Sequence, residues 1–199
     1  MEDAAAIPLA GTTALQSLRD HGKIKSGQSV LINGASGGVG MFAVQIAKSY
    51  GCHVDAVASE RNREFCMSLG ADHFYDYEKD GFTKSNERWD IIFDVAGKVR
   101  YLDARAVLND GGYFISTEPS LKGLLMTFLT RPLSKSGRIM LAAPSADNLE
   151  ELIRLYEAGA LHVTIDSQFP FEQAADAHRR VETGVEHGKV VLTNNLNQR

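Results

Sequence analysis

The sequence predicts an α/β fold built on a doubly wound parallel sheet. Strand-like runs alternate with helical patterns over most of the chain. Most of the strand-like runs are continuous β-branched or aliphatic stretches, which is typical of strands that are covered on both faces. Because βα units repeat along the chain, we expect right-handed crossovers and parallel strands in one sheet.

Six runs are predicted as strands and five segments as helices. The predicted strands cover residues 29–33, 53–58, 73–76, 90–95, 112–116 and 138–142. The predicted helices cover residues 38–50, 61–69, 99–108, 121–130 and 148–157. Three of these helices stop beside a glycine, as expected at a C-cap: Gly51, Gly70 and Gly159.

The two ends of the chain follow a different pattern. Residues 1–27 form a lead-in with a helical pattern, which Pro8 and Gly11 are expected to interrupt. After about residue 165, an aromatic stretch precedes a helical pattern, and a last strand is predicted over residues 189–193. We therefore predict one α/β domain over residues 1–165 and a C-terminal segment over residues 166–199 that has no evident place in the sheet.

Composition and charge bear on the class of partner. The 199 residues carry a net charge of −4, which gives no electrostatic reason to expect a nucleic-acid partner. No apolar run approaches the roughly 18 residues that a membrane span needs, so no membrane partner is expected. The acidic start lacks the basic region of a signal peptide, and Cys52 and Cys66 form no Cys-x-x-Cys motif. These features favour a cytoplasmic protein.

A glycine-rich loop follows the first predicted strand, in the stretch VLINGASGGVGMFAVQIAK. Residues 35–40 fit the dinucleotide fingerprint G-x-G-x-x-G with alanine in the first glycine position. Ser36, Gly37, Gly38 and Val39 would then present backbone N–H groups to a pyrophosphate at the N-terminus of the next helix. Two other phosphate loops fit poorly, because no Lys-Ser/Thr pair follows the glycines and no acidic residue ends the strand.

The short-chain dehydrogenase pattern is an alternative reading of the same loop. Its Thr-Gly-x-x-x-Gly-x-Gly motif matches residues 33–40 except that Asn33 replaces the threonine. That class also needs a catalytic Tyr-x-x-x-Lys on a helix far downstream. Tyr75 and Lys79 have this spacing, but they come soon after the loop, at the tip of the third predicted strand. We interpret this match as accidental.

The residues after the second predicted strand bear on the choice between NAD and NADP. An acidic residue about 20 positions after the glycines would bind the ribose hydroxyl of NAD, whereas an arginine favours the 2′-phosphate of NADP. Ser59 occupies the strand tip, Glu60 follows, and Arg61 and Arg63 begin the next helix. Arginine–phosphate contacts are charge-assisted, and Glu60 can equally be a favourable charge at a helix N-terminus. The sequence therefore favours NADP(H) over NAD(H).

Together these motifs resemble the zinc-independent quinone oxidoreductase (zeta-crystallin-like) branch of the medium-chain dehydrogenase/reductase superfamily. The similar stretches run nearly end to end: AAAIPLAGTTAL, VLINGASGGVGMFAVQIAK, SLGADHFYDY, WDIIFDVAGK, LNDGGYFIS and FPFEQAADAHRRVETGVEHGKVVL. The resemblance implies a Rossmann sheet of strand order 3-2-1-4-5-6 within a dinucleotide-binding domain. It also implies hydride transfer from NADPH to a quinone, an enone or a similar electrophilic double bond.

The resemblance further implies roles for individual residues. Tyr77 would contact the phosphate on the adenosine ribose. The nicotinamide end would lie against the N-terminal segment and the ends of the fourth and fifth strands, at Thr13, Val95, Ala96, Gly97 and Ser116. No residue is predicted as catalytic, since Ser36 lies outside a Gly-x-Ser-x-Gly elbow. No zinc is expected, because the six histidines show no metal-ligand spacing.

The resemblance also carries expectations about completeness and partners. Members of the family begin with a GroES-like catalytic domain that has no counterpart here, and their C-terminal segment packs against it. This chain is therefore expected to be a cofactor domain that is not catalytically complete alone. A homodimer through the sixth strand is expected, because the family often extends its sheet across a two-fold axis there and an uncovered strand edge invites pairing. The alternative function is a non-catalytic NAD(P)-binding sensor or scaffold.

Overall fold

The computed structural model of the chain describes residues 2–143 and 145–194. Six parallel strands form one sheet in the order β3-β2-β1-β4-β5-β6, which confirms the predicted fold class and strand order. The strands are β1 (Ser29–Asn33), β2 (His53–Ala58), β3 (His73–Asp76), β4 (Trp89–Asp94), β5 (Leu108–Ser116) and β6 (Ser136–Ile139). The first three have the predicted bounds, whereas β5 begins four residues earlier than predicted.

Seven α-helices accompany the described strands. They are α1 (Glu2–Gln16), α2 (Gly40–Ser49), α3 (Arg63–Ser68), α4 (Tyr101–Ala106), α5 (Leu121–Thr130), α6 (Ala146–Glu157) and α7 (Ala174–Glu182). The sheet is covered on both faces, as the continuous apolar runs predict. Val30 and Ile32 of β1 belong to the core that includes α1, α2 and α6, and Leu31 belongs to the core on the other face with Trp89.

The N-terminal helix differs from the sequence prediction. Pro8 and Gly11 were expected to interrupt it, yet α1 runs through both positions and continues into a π-helical turn, Ser17–His21. Gly11 allows a close approach, because a Cβ at this position would lie 3.1 Å from Leu152 Cδ1 of α6. Burial of the α1 side chains against α2 and α6 compensates for the hydrogen bond that a proline cannot make.

The outer edge of β6 already has hydrogen-bond partners. Thr130 Oγ1 accepts from Gly137 N at 2.8 Å, and Ile139 N donates to Thr127 Oγ1 at 3.0 Å. Both threonines belong to α5, so this helix covers the edge. One of the two grounds for the expected homodimer was an uncovered edge, and over Gly137 and Ile139 the edge is not free. Strand β6 begins at Ser136, two residues before its predicted start. The contacts with α5 hold the strand in this position.

The C-terminal segment forms a small unit of its own. Strands β7 (Ile165–Pro170) and β8 (Lys189–Thr193) pair in parallel, and α7 connects them. The carboxylate of Asp166 accepts hydrogen bonds of 2.6 and 2.9 Å from Arg180. The sequence predicts α7 and β8 but does not predict β7. Strand β8 contacts α1, and the preceding loop contacts the glycine loop, so the unit packs on this chain's own α/β domain.

Candidate functional site

A buried polar pair organises the carboxyl edge of the sheet. Asn33 ends β1 and Asp94 ends the neighbouring β4, and Asn33 Nδ2 donates to Asp94 Oδ1 at 2.8 Å. Asp94 also accepts from Val99 N at 2.9 Å, which fixes the loop that follows β4. Burial raises the pKa of Asp94 above its usual value. The pair thus fixes the loop beside the point where ligands bind in open α/β sheets.

The glycine loop makes the tight turn from β1 into α2 that the fingerprint predicts. Gly34 has a φ of +89°, and its N–H donates to Val57 O at 2.9 Å. At Gly40, a Cβ would overlap the carbonyl oxygen of Gly34 and would lie 2.8 Å from Ala35 Cα. Only glycine fits where helix and loop approach this closely. Since α2 begins at Gly40, the positive end of its dipole lies at the loop.

An open cavity of about 660 Å³ lies beside this loop. Its walls come from the ends of β1 and β2, from the loops that follow β3 and β4, and from the C-terminal segment. Five residues predicted for the cofactor line it: Ser36, Ser59, Arg61, Tyr77 and Ala96. This cavity is lined by both the phosphate-loop residue Ser36 and the residues predicted to hold the adenosine ribose, and we call it the nucleotide cavity.

Arg63 lies outside the lining of the nucleotide cavity. Its guanidinium binds the carboxylate of Glu60 through two hydrogen bonds of 2.5 and 3.0 Å and stacks over the ring of Phe74 at 4.5 Å. This contact lowers the pKa of Glu60. Arg61 instead lines the cavity with a side chain that is 65% exposed. The two arginines are two positions apart in the sequence, yet only the side chain of Arg61 lines the cavity. Which of the two does so depends on the helical turn at this point, and the sequence motif does not show it.

The residues predicted for the nicotinamide end lie after β4, at the end of β5 and on α1. Val95, Ala96 and Gly97 follow β4, where Val95 N and Ala96 N donate to Asn33 O at 3.0 and 3.2 Å. Ser116 ends the adjacent β5, and its hydroxyl accepts from Glu118 N at 3.2 Å. Thr13 lies on α1, where its hydroxyl donates to Leu9 O at 2.7 Å. Gly37, Gly38 and Val39 belong to the glycine loop but do not line the cavity.

The loop before β8 makes a contribution to the site that no sequence motif predicted. The side chain of Lys189 lies across Gly38, where a Cβ would be 2.5 Å from Lys189 Cδ and 3.5 Å from Nζ. Gly188 N donates to Ser36 O at 3.3 Å, and Glu186 Oε1 lies 3.8 Å from Arg61 Nη1. Glu186 also lines the nucleotide cavity. About 150 positions separate this loop from the glycine loop, so sequence spacing gave no signal.

Stacking holds this loop in place. The ring of His187 stacks on Phe65 of α3, with centroids 4.4 Å apart. Asn62, just before α3, donates from its amide to Ser36 Oγ at 3.2 Å and to Ser59 Oγ at 3.1 Å. These contacts connect the glycine loop, the end of β2 and the C-terminal segment, so one wall of the cavity depends on all three.

Neither Tyr75 nor Lys79 lines the nucleotide cavity. Tyr75 borders a separate cavity together with Ser29 and His53, the first residues of β1 and β2, and this cavity is therefore at the amino edge of the sheet. Lys79 Nζ lies 3.2 Å from Asp76 Oδ2. Because the glycine loop is at the carboxyl edge, the structure separates Tyr75 from the place where a dinucleotide would react.

Metal binding and membrane spanning can both be assessed from the described residues. Across residues 2–143 and 145–194, no group of three or more His, Cys, Asp or Glu side chains is arranged to hold a metal ion. The described residues therefore do not fit a zinc site. None of the helices in those ranges is both long and apolar enough to cross a membrane.

Comparisons with known proteins place this geometry in a family. The zinc-binding dehydrogenase family matches residues 69–192. The chain is 33% identical over 202 residues to the chloroplast envelope quinone oxidoreductase homolog of Arabidopsis thaliana, covering 96% of this chain and 61% of the relative. It is 32% identical over 193 residues to an Arabidopsis chloroplastic NADPH-dependent alkenal/one oxidoreductase, covering 95% of this chain and 46% of that protein.

A solved structure agrees with the sequence comparisons. The quinone oxidoreductase from Coxiella burnetii matches with a TM-score of 0.84 at 30% identity, over 95% of this chain and 59% of that one. The chain thus spans between 46% and 61% of the length of these three proteins. The chain belongs to the zinc-binding dehydrogenase family of the medium-chain dehydrogenase/reductase superfamily and corresponds to the cofactor-binding half of its members.

Proposed function

We propose that this chain binds NADP(H) and is the cofactor domain of an oxidoreductase that transfers hydride to quinones, enones or similar electrophilic double bonds. The observation that carries the proposal is the nucleotide cavity, which adjoins the glycine loop and has Arg61 in its wall. The relatives support the reaction class, because their names describe quinone and alkenal/one oxidoreductases. They also support a nicotinamide cofactor, since one of those names specifies NADPH.

The residues of the chain would hold the cofactor by complementary charge. The N-terminus of α2 and the ammonium group of Lys189 both favour an anion at Gly38, which fits a pyrophosphate. The Asn33–Asp94 pair would keep the loop after β4 in position beside the nicotinamide. When bound, the cofactor supplies the hydride, and the protein supplies position and the exclusion of water.

Preference for the 2′-phosphate is proposed to depend on how the local charges are paired. Glu60 would repel a phosphate, but its carboxylate is bound by Arg63. Within the part of the chain that the structure describes, Arg61 pairs with Glu186 at the longer distance of 3.8 Å, so its guanidinium can turn to a phosphate at low cost. Arg61 is therefore proposed as the phosphate ligand, and Arg63 as the residue that neutralises Glu60.

Fluorescence titration with NADPH and NADH tests this assignment. We expect tighter binding of NADPH, and we expect Arg61→Gln to weaken NADPH binding by about tenfold or more with little effect on NADH. Lys189→Gln should weaken both cofactors by a similar factor, because both carry the pyrophosphate. Arg179→Gln is the matched control, since Arg179 is as exposed as Arg61 but lies on α7.

The outcomes separate the parts of the proposal. Equal affinities, or tighter binding of NADH, would reject NADP preference while leaving the cofactor domain intact. Failure of the folded chain to bind either cofactor would reject both the reductase and the sensor functions. Fusion to the N-terminal domain of a full-length relative then separates these two, because quinone or enone reduction is expected only for the reductase.

The oligomeric state and the location stay predictions. A homodimer through β6 would require Thr127 and Thr130 to release the edge of that strand, and sedimentation equilibrium at high protein concentration tests it. A cytoplasmic location is the sequence's prediction, and the alkenal/one oxidoreductase relative is chloroplastic. Fractionation of cells that express the protein would decide the location.

A further inference from the structure

Three carboxylates line the nucleotide cavity: Asp80, Asp103 and Glu186. A phosphate that enters the cavity meets the charge of each carboxylate that has no partner of its own. Two of the three are bound by nearby groups. Asp103 accepts hydrogen bonds of 2.7 and 3.0 Å from Arg100, and Asp80 Oδ2 accepts from Asp76 N at 2.9 Å. Neither of these contacts involves a residue that is proposed to hold the cofactor.

Glu186 differs from the other two because its cationic partner is the proposed phosphate ligand. Glu186 Oε1 lies 3.8 Å from Arg61 Nη1. Both side chains are exposed, at 65% for Arg61 and 58% for Glu186, so water screens the pair and either group can change partner. A phosphate that binds Arg61 therefore has to take the guanidinium from a carboxylate in the wall of the same cavity.

The two residues that follow Glu186 are anchored to the α/β domain. The ring of His187 stacks on Phe65 with centroids 4.4 Å apart, and Gly188 N donates to Ser36 O at 3.3 Å. Because these contacts fix the chain directly after Glu186, the carboxylate can leave the guanidinium by side-chain rotation, whereas a shift of the loop would break both contacts. Its charge therefore stays in the cavity wall when a ligand binds.

Glu186 and Lys189 of this loop face different parts of a dinucleotide. The side chain of Lys189 lies across Gly38, where the pyrophosphate is proposed to bind, and both NAD and NADP carry that group. Glu186 lies beside Arg61, where the ribose of NADP would carry a phosphate and the ribose of NAD a hydroxyl. The same short loop thus favours the part that the two cofactors share and opposes the part that distinguishes them.

We propose that Glu186 is a specificity-determining residue, whose carboxylate competes with the 2′-phosphate of NADP for Arg61 and so limits the preference for NADP(H). This inference rests on the proposed function, in which Arg61 is the phosphate ligand. Two costs act in the same direction. The phosphate has to displace Glu186 from Arg61, and the displaced carboxylate then repels a group of about two negative charges. NAD meets neither cost, and its 2′-hydroxyl can donate to the carboxylate.

Fluorescence titration of the 199-residue chain with NADPH and NADH tests the role of Glu186. Glu186→Gln should tighten NADPH binding by about three- to fivefold, while NADH binding stays the same or weakens slightly. The gain should shrink as salt is raised, because the charges involved are exposed. Glu182→Gln is the matched control, since it removes the same charge from an exposed residue of α7 that does not line the cavity.

A double-mutant cycle with Arg61→Gln isolates the competition for the guanidinium. In the Arg61→Gln background there is no guanidinium to compete for, so the gain from Glu186→Gln should fall below about twofold. The inference is overturned if Glu186→Gln leaves the ratio of the two affinities unchanged, weakens NADPH binding, or gives the same gain in both backgrounds. A folded parent chain that binds neither cofactor would reject the proposed function itself, and this inference with it.

Discussion

The six-stranded sheet and the C-terminal unit of residues 165–193 are held together by different forces. Strands β1, β2 and β4 are buried along almost their whole length, and large side chains such as Phe42, Phe93 and Trp89 fill the cores on the two faces. In the C-terminal unit, β7 has no fully buried residue, and only Val191 is buried in β8. The unit relies instead on ion pairing, stacking and contacts with the glycine loop.

This difference matters because the less buried unit contributes to the nucleotide cavity. Glu186 lines the cavity and Lys189 crosses Gly38, so one wall belongs to the region with the weaker core. Elements with few buried apolar contacts open locally at lower free energy than core strands. We expect the cofactor to stabilise the C-terminal unit more than the sheet, as a ligand stabilises the state that it binds.

The largest expected effect comes from the point where the glycine loop meets α2. Gly40→Ala would force a Cβ into the Gly34 carbonyl, and rigid backbone cannot move aside as a side chain can. We expect the free energy of unfolding to fall by more than about 3 kcal/mol, or the chain to fail to fold. Chemical denaturation measures this.

Gly81→Ala is the matched control for that substitution. A Cβ there meets no atom within 4 Å, so its unfolding midpoint should stay near that of the parent chain. A Gly40→Ala variant as stable as Gly81→Ala would contradict the close approach that the loop requires.

A pair of core substitutions compares the two regions directly. Leu31→Ala should cost about 3 kcal/mol, because Leu31 is fully buried in a central strand. Val191→Ala removes fewer atoms from a shallower site and should cost about 1 kcal/mol. Global unfolding by denaturant and amide exchange resolved along the chain would measure both. If amide exchange in β7 and β8 were no faster in Val191→Ala than in the parent chain, the unit would not depend on this contact.

The smallest expected effect concerns pH and the Asp166–Arg180 pair. The hydrogen bonds from Arg180 hold the pKa of Asp166 below its usual value. A lowered folded-state pKa stabilises the unit above the unfolded pKa of about 4, and this contribution is lost as pH falls through the folded value. Asp166→Asn should therefore speed amide exchange in β7 at neutral pH by a few-fold, corresponding to less than about 1 kcal/mol.

The comparison at low pH provides the check on that mechanism. Exchange in Asp166→Asn and in the parent chain should converge when Asp166 is protonated in both states. Asp176→Asn, on the exposed side of α7, is the control and should have less effect at either pH. A difference that persists in strong acid would assign the effect to something other than the ion pair.

The sequence was most informative where one local rule decides the structure. Strands β1, β2 and β3 and helix α5 have the predicted bounds, because apolar runs and flanking turn residues act over short distances. Pro8 misled the prediction, since tertiary packing on α2 and α6 outweighed a local penalty. The bounds of β5 and β6 differed because contacts with other elements, such as Thr130 on Gly137, set where those strands pair.

By itself, the sequence determined the sheet, its strand order through the family resemblance, and the phosphate-loop character of residues 34–40. These follow from periodicity and from steric demands that act between near neighbours. Only the tertiary structure decided which arginine lines the cavity, that Lys189 crosses the glycine loop, and that Glu186 lies beside Arg61. Those features depend on residues far apart in the chain or on which side of a helix packs, and neither spacing nor composition records such a choice.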